Sequence, residues 1–347
     1  MKKTVKLLFI LFLVAFFRTT SAQETTDNYS SNVVVDNLDT PWSLDFLPDN
    51  SIIFTERPGN IKIFIGDTSK TILHLPIVEI SESGLLGVAV DPDFIINKYV
   101  YLYYTFPKEG KTINRVSRFI FADGLKDEQV LLDDIPFARY HDGGRIKFGP
   151  DDKLYITTGD ALEPGSAQNI NSLAGKILRM NKDGTIPQDN PFENYVYSYG
   201  HRNSQGIAWL QDKLFASEHG PTRHDEINRI VKGGNYGWPA TCEEQKEDTK
   251  KPLRCYLDFT LAPSGIAFYK NKLYVACLRG TQLREITLTD DHKIEKERVI
   301  LDDMGRIRTV VKKNNSLFIA TNNRDGRGNP RSNDDKIIKI VFDEDAR

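Results

Sequence analysis

His141 and Asp160 are the side chains whose types and placing best suit proton chemistry in this sequence. His141 opens Tyr140-His141-Asp142-Gly143-Gly144-Arg145-Ile146-Lys147-Phe148. A Pro150-Asp151 turn follows, then Lys153-Leu154-Tyr155-Ile156-Thr157-Thr158-Gly159-Asp160. The two apolar runs around this turn predict a strand pair. A hairpin returns its second strand beside its first, so His141 and Asp160 fall on one rim of a sheet. An imidazole oriented by a carboxylate is the usual arrangement of a general base working near neutral pH. The pair alone leaves a competing reading open, in which His141 caps a loop and Asp160 ends a strand.

Other polar, Gly-rich segments exceed what a plain structural repeat needs: Ser83-Gly84-Leu85-Leu86-Gly87, Gly200-His201-Arg202-Asn203-Ser204-Gln205-Gly206, Ser217-Glu218-His219-Gly220-Pro221 and Gly233-Gly234-Asn235-Tyr236-Gly237-Trp238-Pro239. Arg202, Arg279, Arg306 and Arg308 are a candidate cationic cluster for a ligand with several carboxylates, which guanidinium groups pair bidentately. Each could equally sit in a separate surface salt bridge. Arg306 and Arg308 alternate on a strand and so share a face. Gly220-Pro221 with Asp225-Glu226 points either to calcium, which takes carbonyl and carboxylate oxygens, or to a solvated acidic turn. His201, His219 and His224 lack transition-metal spacing, and His201 reads as a structural member of its Gly-His-Arg-Asn turn.

A repeat supplies the elements that position these groups. Second strands of similar pattern centre on Ile53, Tyr101, Tyr155, Phe215, Tyr274 and Phe318, and each follows a first strand such as Trp42–Phe46 or Gly265–Phe268. Six hairpins at roughly 45–60-residue spacing, each with room for two more short strands, predict an all-β, six-bladed β-propeller with four-stranded blades. Long helical periodicity is absent, which argues against an α/β alternative. The last apolar strand, Lys336–Phe342, is expected to join Asn32–Val35 in one blade and close the ring. Successive blades deliver loops to one face around a central channel, so residues distant in sequence meet there.

Lys2 and Lys3, the apolar run Leu7–Phe17 and the small residues Thr20-Ser21-Ala22 form a secretory signal, too short to span a membrane. Residues 1–22 are therefore expected to be removed and 23–347 to form one exported domain, periplasmic or secreted, monomeric or homodimeric. Net charge is −2 with both signs interspersed, which gives no reason to expect nucleic acid or membrane insertion. Cys242 and Cys255 suit a bridge closing a surface loop, with Cys277 buried and free; three free thiols is the alternative, and no zinc spacing occurs.

From Asp39-Thr40-Pro41-Trp42 to Lys336–Ile340 the sequence resembles the soluble quinoprotein aldose sugar dehydrogenases, a family that includes the soluble PQQ-dependent glucose dehydrogenases. The pieces that carry the resemblance are His141-Asp-Gly-Gly-Arg145, Gly159-Asp160, Gly200-His-Arg-Asn203, Glu218-His-Gly-Pro221 with Asp225-Glu226-Ile-Asn228, and Gly234-Asn-Tyr-Gly-Trp-Pro239. The resemblance implies oxidation of an aldose at its anomeric carbon to an aldonolactone, by hydride transfer to calcium-bound pyrroloquinoline quinone (PQQ), with electrons passing to an external acceptor. It makes His141 the base, Asp160 the carboxylate that orients it, and Arg202 a catalytic cation. Position 82, His141, Arg202, Asn203, Arg279, Arg306 and Arg308 become cofactor contacts, position 82 being Glu82 here. Gly220 and Pro221 offer carbonyls to an active-site calcium, and Glu226 and Tyr236 hold a structural one. Two positions depart from the family pattern: Glu82 stands where Gln is common, and Arg279 where some members have Lys. A carboxylate at position 82 repels an anionic cofactor unless it is protonated or paired.

Two other classes compete. A six-bladed propeller lactonase or hydrolase needs a central cage of acidic and Asn ligands, which these rim residues do not supply. A non-enzymatic carbohydrate-binding propeller would keep the scaffold without the cofactor, and Glu82 is the feature that favours it.

Overall fold

Short runs rich in Val, Ile, Tyr and Phe, cut by Asp, Asn, Gly and Pro turns, fold as strands because branched and aromatic side chains suit a pleated, half-buried surface. The computed structural model describes residues 29–244 and 246–343. After β1 (Tyr29–Val35), blade one contains β2 (Pro41–Phe46), β3 (Ile52–Glu56), β4 (Asn60–Ile65) and β5 (Thr68–His74). Blade two contains β6 (Leu85–Val90), β7 (Tyr99–Lys108), β8 (Lys111–Phe121) and β9 (Leu125–Ile135), with a helical turn α1 (Phe94–Asn97) between β6 and β7. Blade three contains β10 (Ile146–Phe148), β11 (Leu154–Thr158), β12 (Lys176–Met180) and β13 (Val196–Tyr199). Blade four contains β14 (Ser204–Leu210), β15 (Lys213–Glu218), β16 (Asp225–Ile230) and β17 (Arg254–Tyr256). Blade five contains β18 (Pro263–Tyr269), β19 (Lys272–Cys277), β20 (Gln282–Leu288) and β21 (Ile294–Leu301); blade six contains β22 (Ile307–Lys313), β23 (Ser316–Thr321) and β24 (Ile337–Phe342).

The result is a six-bladed β-propeller of four-stranded antiparallel blades. The hairpins expected from the repeat are present, with Leu44 opposite Phe54, Ile146 opposite Ile156 and Val310 opposite Ile319. As expected, β1 completes the last blade, pairing Tyr29 with Phe342 and Val33 with Ile338. Closure leaves only short, protected sheet edges. The core lies between blades. Trp42, Leu86, Tyr103, Ile146 and Leu178 pack as one buried cluster across the first three, and a large apolar side chain so buried contributes roughly 1.5–3 kcal/mol.

The inner hairpins carry a shared irregularity that positions the site. Register shifts fall at Pro41/Ser43, Leu85/Val88, Ser204/Gly206, Pro263/Ile266 and Ile307/Thr309. A bulge bends its strand and re-aims the extra side chain. Here the re-aimed residues Trp42, Gln205, Ser264 and Arg308 meet across the channel.

Cys242 and Cys255 are joined as a disulfide, and Cys277 is free and buried. No helix among the described residues is long and apolar enough to cross a membrane. The expected signal segment, residues 1–22, lies outside the described residues.

Candidate active site

His141 and Asp160 meet on the rim of blade three, with His141 Nδ1 2.7 Å from Asp160 Oδ1. The hairpin brings them level, and Gly159 allows the approach: a Cβ there would stand 1.7 Å from the His141 carbonyl oxygen. Asp160 is fully buried. It also accepts hydrogen bonds from Trp238 Nε1–H (2.7 Å) and the Leu162 N–H (2.9 Å). A carboxylate only accepts, so the His141 bond requires the proton on Nδ1 and leaves Nε2 as the basic nitrogen. His141 has a left-handed backbone, φ +65°, a conformation that costs a non-glycine residue about 1 kcal/mol or more. Its N–H donates to Glu82 Oε2 at 3.1 Å, so both backbone and side chain are tied to carboxylates.

His141 opens onto a cavity of about 390 Å³ that Glu82, Arg202, Asn203, His219, Arg279, Arg306 and Arg327 also line. Four guanidinium groups thus converge from blades three to six and the β23–β24 loop, as the cluster reading required for Arg202, Arg279 and Arg306. Arg306 binds Asp325 through Nε (3.2 Å) and Nη2 (2.8 Å). Arg279 is exposed and has no ion-pair partner among the described residues. Arg202 donates Nη1 to the His219 carbonyl at 3.1 Å, and its buried Nε–H has no partner among the described residues. Its backbone N–H donates to the Glu218 carboxylate. Burial lowers the Arg202 pKa, opposed by the charges of Asp160, Glu82, Glu218 and Asp225. Asn203 ties the rim together, accepting from the Gly143 N–H (3.1 Å) and donating to Glu82 Oε2 (3.3 Å).

Glu82 is ionised and paired. Burial pushes its carboxyl up, but His219, the His141 N–H and Arg327 outweigh that and hold its pKa at about 2. Burial presses His219 itself to about 3, so its charge acts only in acid. At neutral pH the His141 N–H and Arg327, 3.0 Å away through Nη1, hold the charge on Glu82.

Arg308 lies elsewhere than its alternation with Arg306 implies. It is the bulged residue of β22, buried beneath the cavity, with Nη1 on Gln205 Oε1 at 2.7 Å and its guanidinium over Trp42 at 5.5 Å. Arg145 stacks on the same Trp42 at 4.2 Å and donates Nε–H to the Gln205 carbonyl at 2.9 Å. Burial lowers both to about 9; the Arg308 charge adds to this for Arg145, while for Arg308 the charge of Asp325 opposes it and that of Arg306 adds to it. Arg306, which precedes β22, lines the cavity while Arg308 forms part of its floor layer.

The residues assigned to metals gather on blade four. Gly220 reaches the main cavity, and Gly220, Pro221, Glu226 and Tyr236 line a smaller one of about 20 Å³ together with Glu218. Burial and the Glu218 charge raise the Glu226 pKa to about 8, and the buried Asn228 Oδ1 has no partner among the described residues. Asp225 is not available: its carboxylate accepts the N–H groups of Gly220 (3.0 Å), Leu261 (2.6 Å) and Ala262 (2.8 Å). His201 is structural, as expected, bonded to Ser198 and Glu218 and stacked on Tyr236. Trp238, Asp325 and Arg327 were not singled out as site residues. Trp238 lies in a motif already quoted, but its partner Asp160 is 78 positions away, and Arg327 meets Glu82 245 positions away.

A family model described as glucose/sorbosone dehydrogenase matches residues 38–333. The chain belongs to the glucose/sorbosone dehydrogenase family. Among curated family relatives, the aldose sugar dehydrogenase YliI of Escherichia coli is 31% identical over 85% of this chain and 90% of its own. The quinoprotein glucose dehydrogenase B of Acinetobacter calcoaceticus is 37% identical over 63% of this chain and 54% of its own. The structure of the PQQ-bound aldose sugar dehydrogenase from Streptomyces coelicolor superposes with a TM-score of 0.85 at 34% identity, covering 91% of this chain and 98% of that one. The match to dehydrogenases over almost the whole described chain makes the chain an oxidoreductase.

Proposed function

We propose that residues 23–347 form one exported, PQQ-dependent aldose dehydrogenase domain in which His141 is the general base. The observation that carries this reading is the Asp160-fixed imidazole, whose basic Nε2 sits on the wall of a cavity rimmed by guanidinium groups. The cavity suits an anionic cofactor on two counts: among the described residues, Arg279 has no ion-pair partner and the buried donor Arg202 Nε–H has no hydrogen-bond partner. A buried polar donor left unpaired costs about 1–3 kcal/mol, so a ligand that accepts from it gains that much. Arg202, Asn203, Arg279 and Arg306 would hold the cofactor, with Arg308 in the layer beneath.

When bound, PQQ supplies the electrophilic carbon that takes the anomeric hydrogen as hydride and keeps the two electrons until an external acceptor removes them. His141 takes the proton of the anomeric hydroxyl, and Asp160 stabilises the resulting imidazolium. The anomeric carbon, having lost hydride while its hydroxyl oxygen lost the proton, becomes the carbonyl of an aldonolactone. Arg202 places a fixed positive charge beside the reacting atoms without reorganisation.

Calcium fits two places by donor chemistry. The Gly220 and Pro221 carbonyls offer oxygens beside the main cavity, where the ion would polarise the cofactor. Glu226 with the Tyr236 carbonyl offers a structural site, and the Glu218 and Glu226 carboxylates, level on neighbouring strands of blade four, favour a hard cation there. A lactonase cage finds no support, since among the described residues no three carboxylates or imidazoles converge on the channel. The test is reconstitution: protein loaded with PQQ and calcium should reduce an artificial dye with aldoses, and His141→Ala should abolish this. No turnover across a broad sugar panel, together with no change in PQQ absorbance on mixing, overturns the proposal.

A further inference from the structure

A carboxylate inside a site built for an anionic ligand is a liability, and Glu82 is one: it lines the cavity and is ionised at neutral pH. Its side chain nevertheless has three engagements. It accepts from the His141 backbone N–H (3.1 Å) and Asn203 Nδ2 (3.3 Å), and its other oxygen takes Arg327 Nη1 (3.0 Å). The first bond falls on a residue with φ +65°, where the backbone needs an external hold to keep its side chain aimed. Arg327 arrives from the β23–β24 loop of blade six and crosses to the segment before β6 of blade two, so the pair spans the cavity mouth. Its guanidinium also lies 5.3 Å from the centre of the Tyr140 ring, on the cavity wall. Its side chain is 42% exposed against 15% for Glu82, and of its guanidinium donors only Nη1 is used on Glu82.

We propose that Glu82 and Arg327 form a charge-neutral latch across the mouth: Glu82 positions the His141 backbone, and Arg327 both cancels the Glu82 charge and presents its remaining donors to a carboxylate of the anionic cofactor. The latch rests on the quinone reading of the cavity. Two side chains thereby settle what a carboxylate at position 82 does. The charge that would repel the cofactor is consumed internally, and its hydrogen-bonding capacity holds the base.

The experiment is a double-mutant cycle read by calorimetric titration of the calcium-loaded, cofactor-free protein with PQQ. Arg327→Ala strips the counter-charge from Glu82 and removes one contact, and should weaken PQQ binding by about tenfold or more. Glu82→Gln alone should bind as well as wild type or better, and the double variant should regain most of the loss, because no bare carboxylate remains. Arg327→Lys, which keeps the charge, should fall between wild type and Arg327→Ala and guards against a folding artefact. Equal binding by Arg327→Ala and wild type, or losses that simply add in the double variant, overturn the cofactor half of the latch. Failure of wild type to bind PQQ at all refutes instead the reading of the cavity itself. The positioning half is read without cofactor, by hydrogen exchange at the His141 amide: exchange should stay slow in Glu82→Gln, whose amide oxygen still accepts, and quicken in Glu82→Ala. Unchanged exchange in Glu82→Ala overturns it.

Discussion

Asp160→Asn separates what the carboxylate does from the space it fills. Asp160 is fully buried and accepts three hydrogen bonds, from His141 Nδ1–H, Trp238 Nε1–H and the Leu162 N–H. An amide of the same shape has one accepting oxygen and two N–H donors. If the oxygen faces His141, the amide N–H meets Trp238 Nε1–H donor to donor. If it faces Trp238, the N–H meets His141 Nδ1, which must then accept, and the imidazole proton moves to Nε2. The first arrangement leaves the Trp238 donor unsatisfied and the second leaves the Leu162 N–H facing an amide donor, each costing about 1–3 kcal/mol of stability. The second preserves the Trp238 bond but removes the basic nitrogen from the cavity side, and the loss of general-base catalysis is then about 10²–10⁴-fold. Either way the imidazolium formed on proton transfer loses its counter-charge. The assay is dye-linked turnover of the PQQ-loaded variant over an aldose concentration series, beside its thermal melt. Because Asp160 does not line the cavity, kcat should collapse while KM changes little. A kcat close to wild type with an intact fold would refute the His141–Asp160 assignment.

Gly159→Ala should abolish turnover and lower the melting temperature, since its Cβ must displace the His141 carbonyl; a well-folded, active variant contradicts the close-approach argument. Chelation of calcium should lower the melting temperature of wild type, and Glu226→Gln should lose the part of that shift due to the structural ion; a calcium-dependent shift as large as in wild type places the structural site elsewhere. Asp142 is buried with one carboxylate oxygen unpartnered, and burial raises its pKa from 3.8 to about 7. Because the folded state holds that proton more tightly, Asp142 contributes stability that is full below about pH 4 and lost as pH rises to about 7. The total is a few kcal/mol at roughly 1.4 kcal/mol per pH unit. Melting curves from pH 4 to 8 should show that decline, and Asp142→Asn should flatten it.

The propeller was legible because its signal is local and repeated. Each inner hairpin carries its own alternation and turn, and the anchors Tyr155, Phe215 and Tyr274 sit in buried second strands as their pattern required. His141 and Asp160 were legible for the same reason, since one hairpin fixes their separation. Arg308 shows where periodicity fails: a one-residue bulge at Ile307/Thr309 is invisible in composition, yet it turns Arg308 under the cavity while Arg306 stays on its wall. Glu82 was legible as an oddity but not as a paired group, because Arg327 lies 245 positions away and only ring closure brings them together. Trp238 was quoted within a Gly-rich motif, but its hydrogen bond to Asp160 depends on the packing of the blade-four loop against blade three.

The central claim is that this cavity lets His141 take the hydroxyl proton while the anomeric hydrogen departs as hydride. Its most direct test is single-turnover kinetics of the PQQ- and calcium-loaded protein with an aldose carrying deuterium at the anomeric carbon. The structure predicts a slower step with the labelled sugar and near-complete loss of that step in His141→Ala. A rate indifferent to deuterium at that carbon and undiminished in His141→Ala would contradict it.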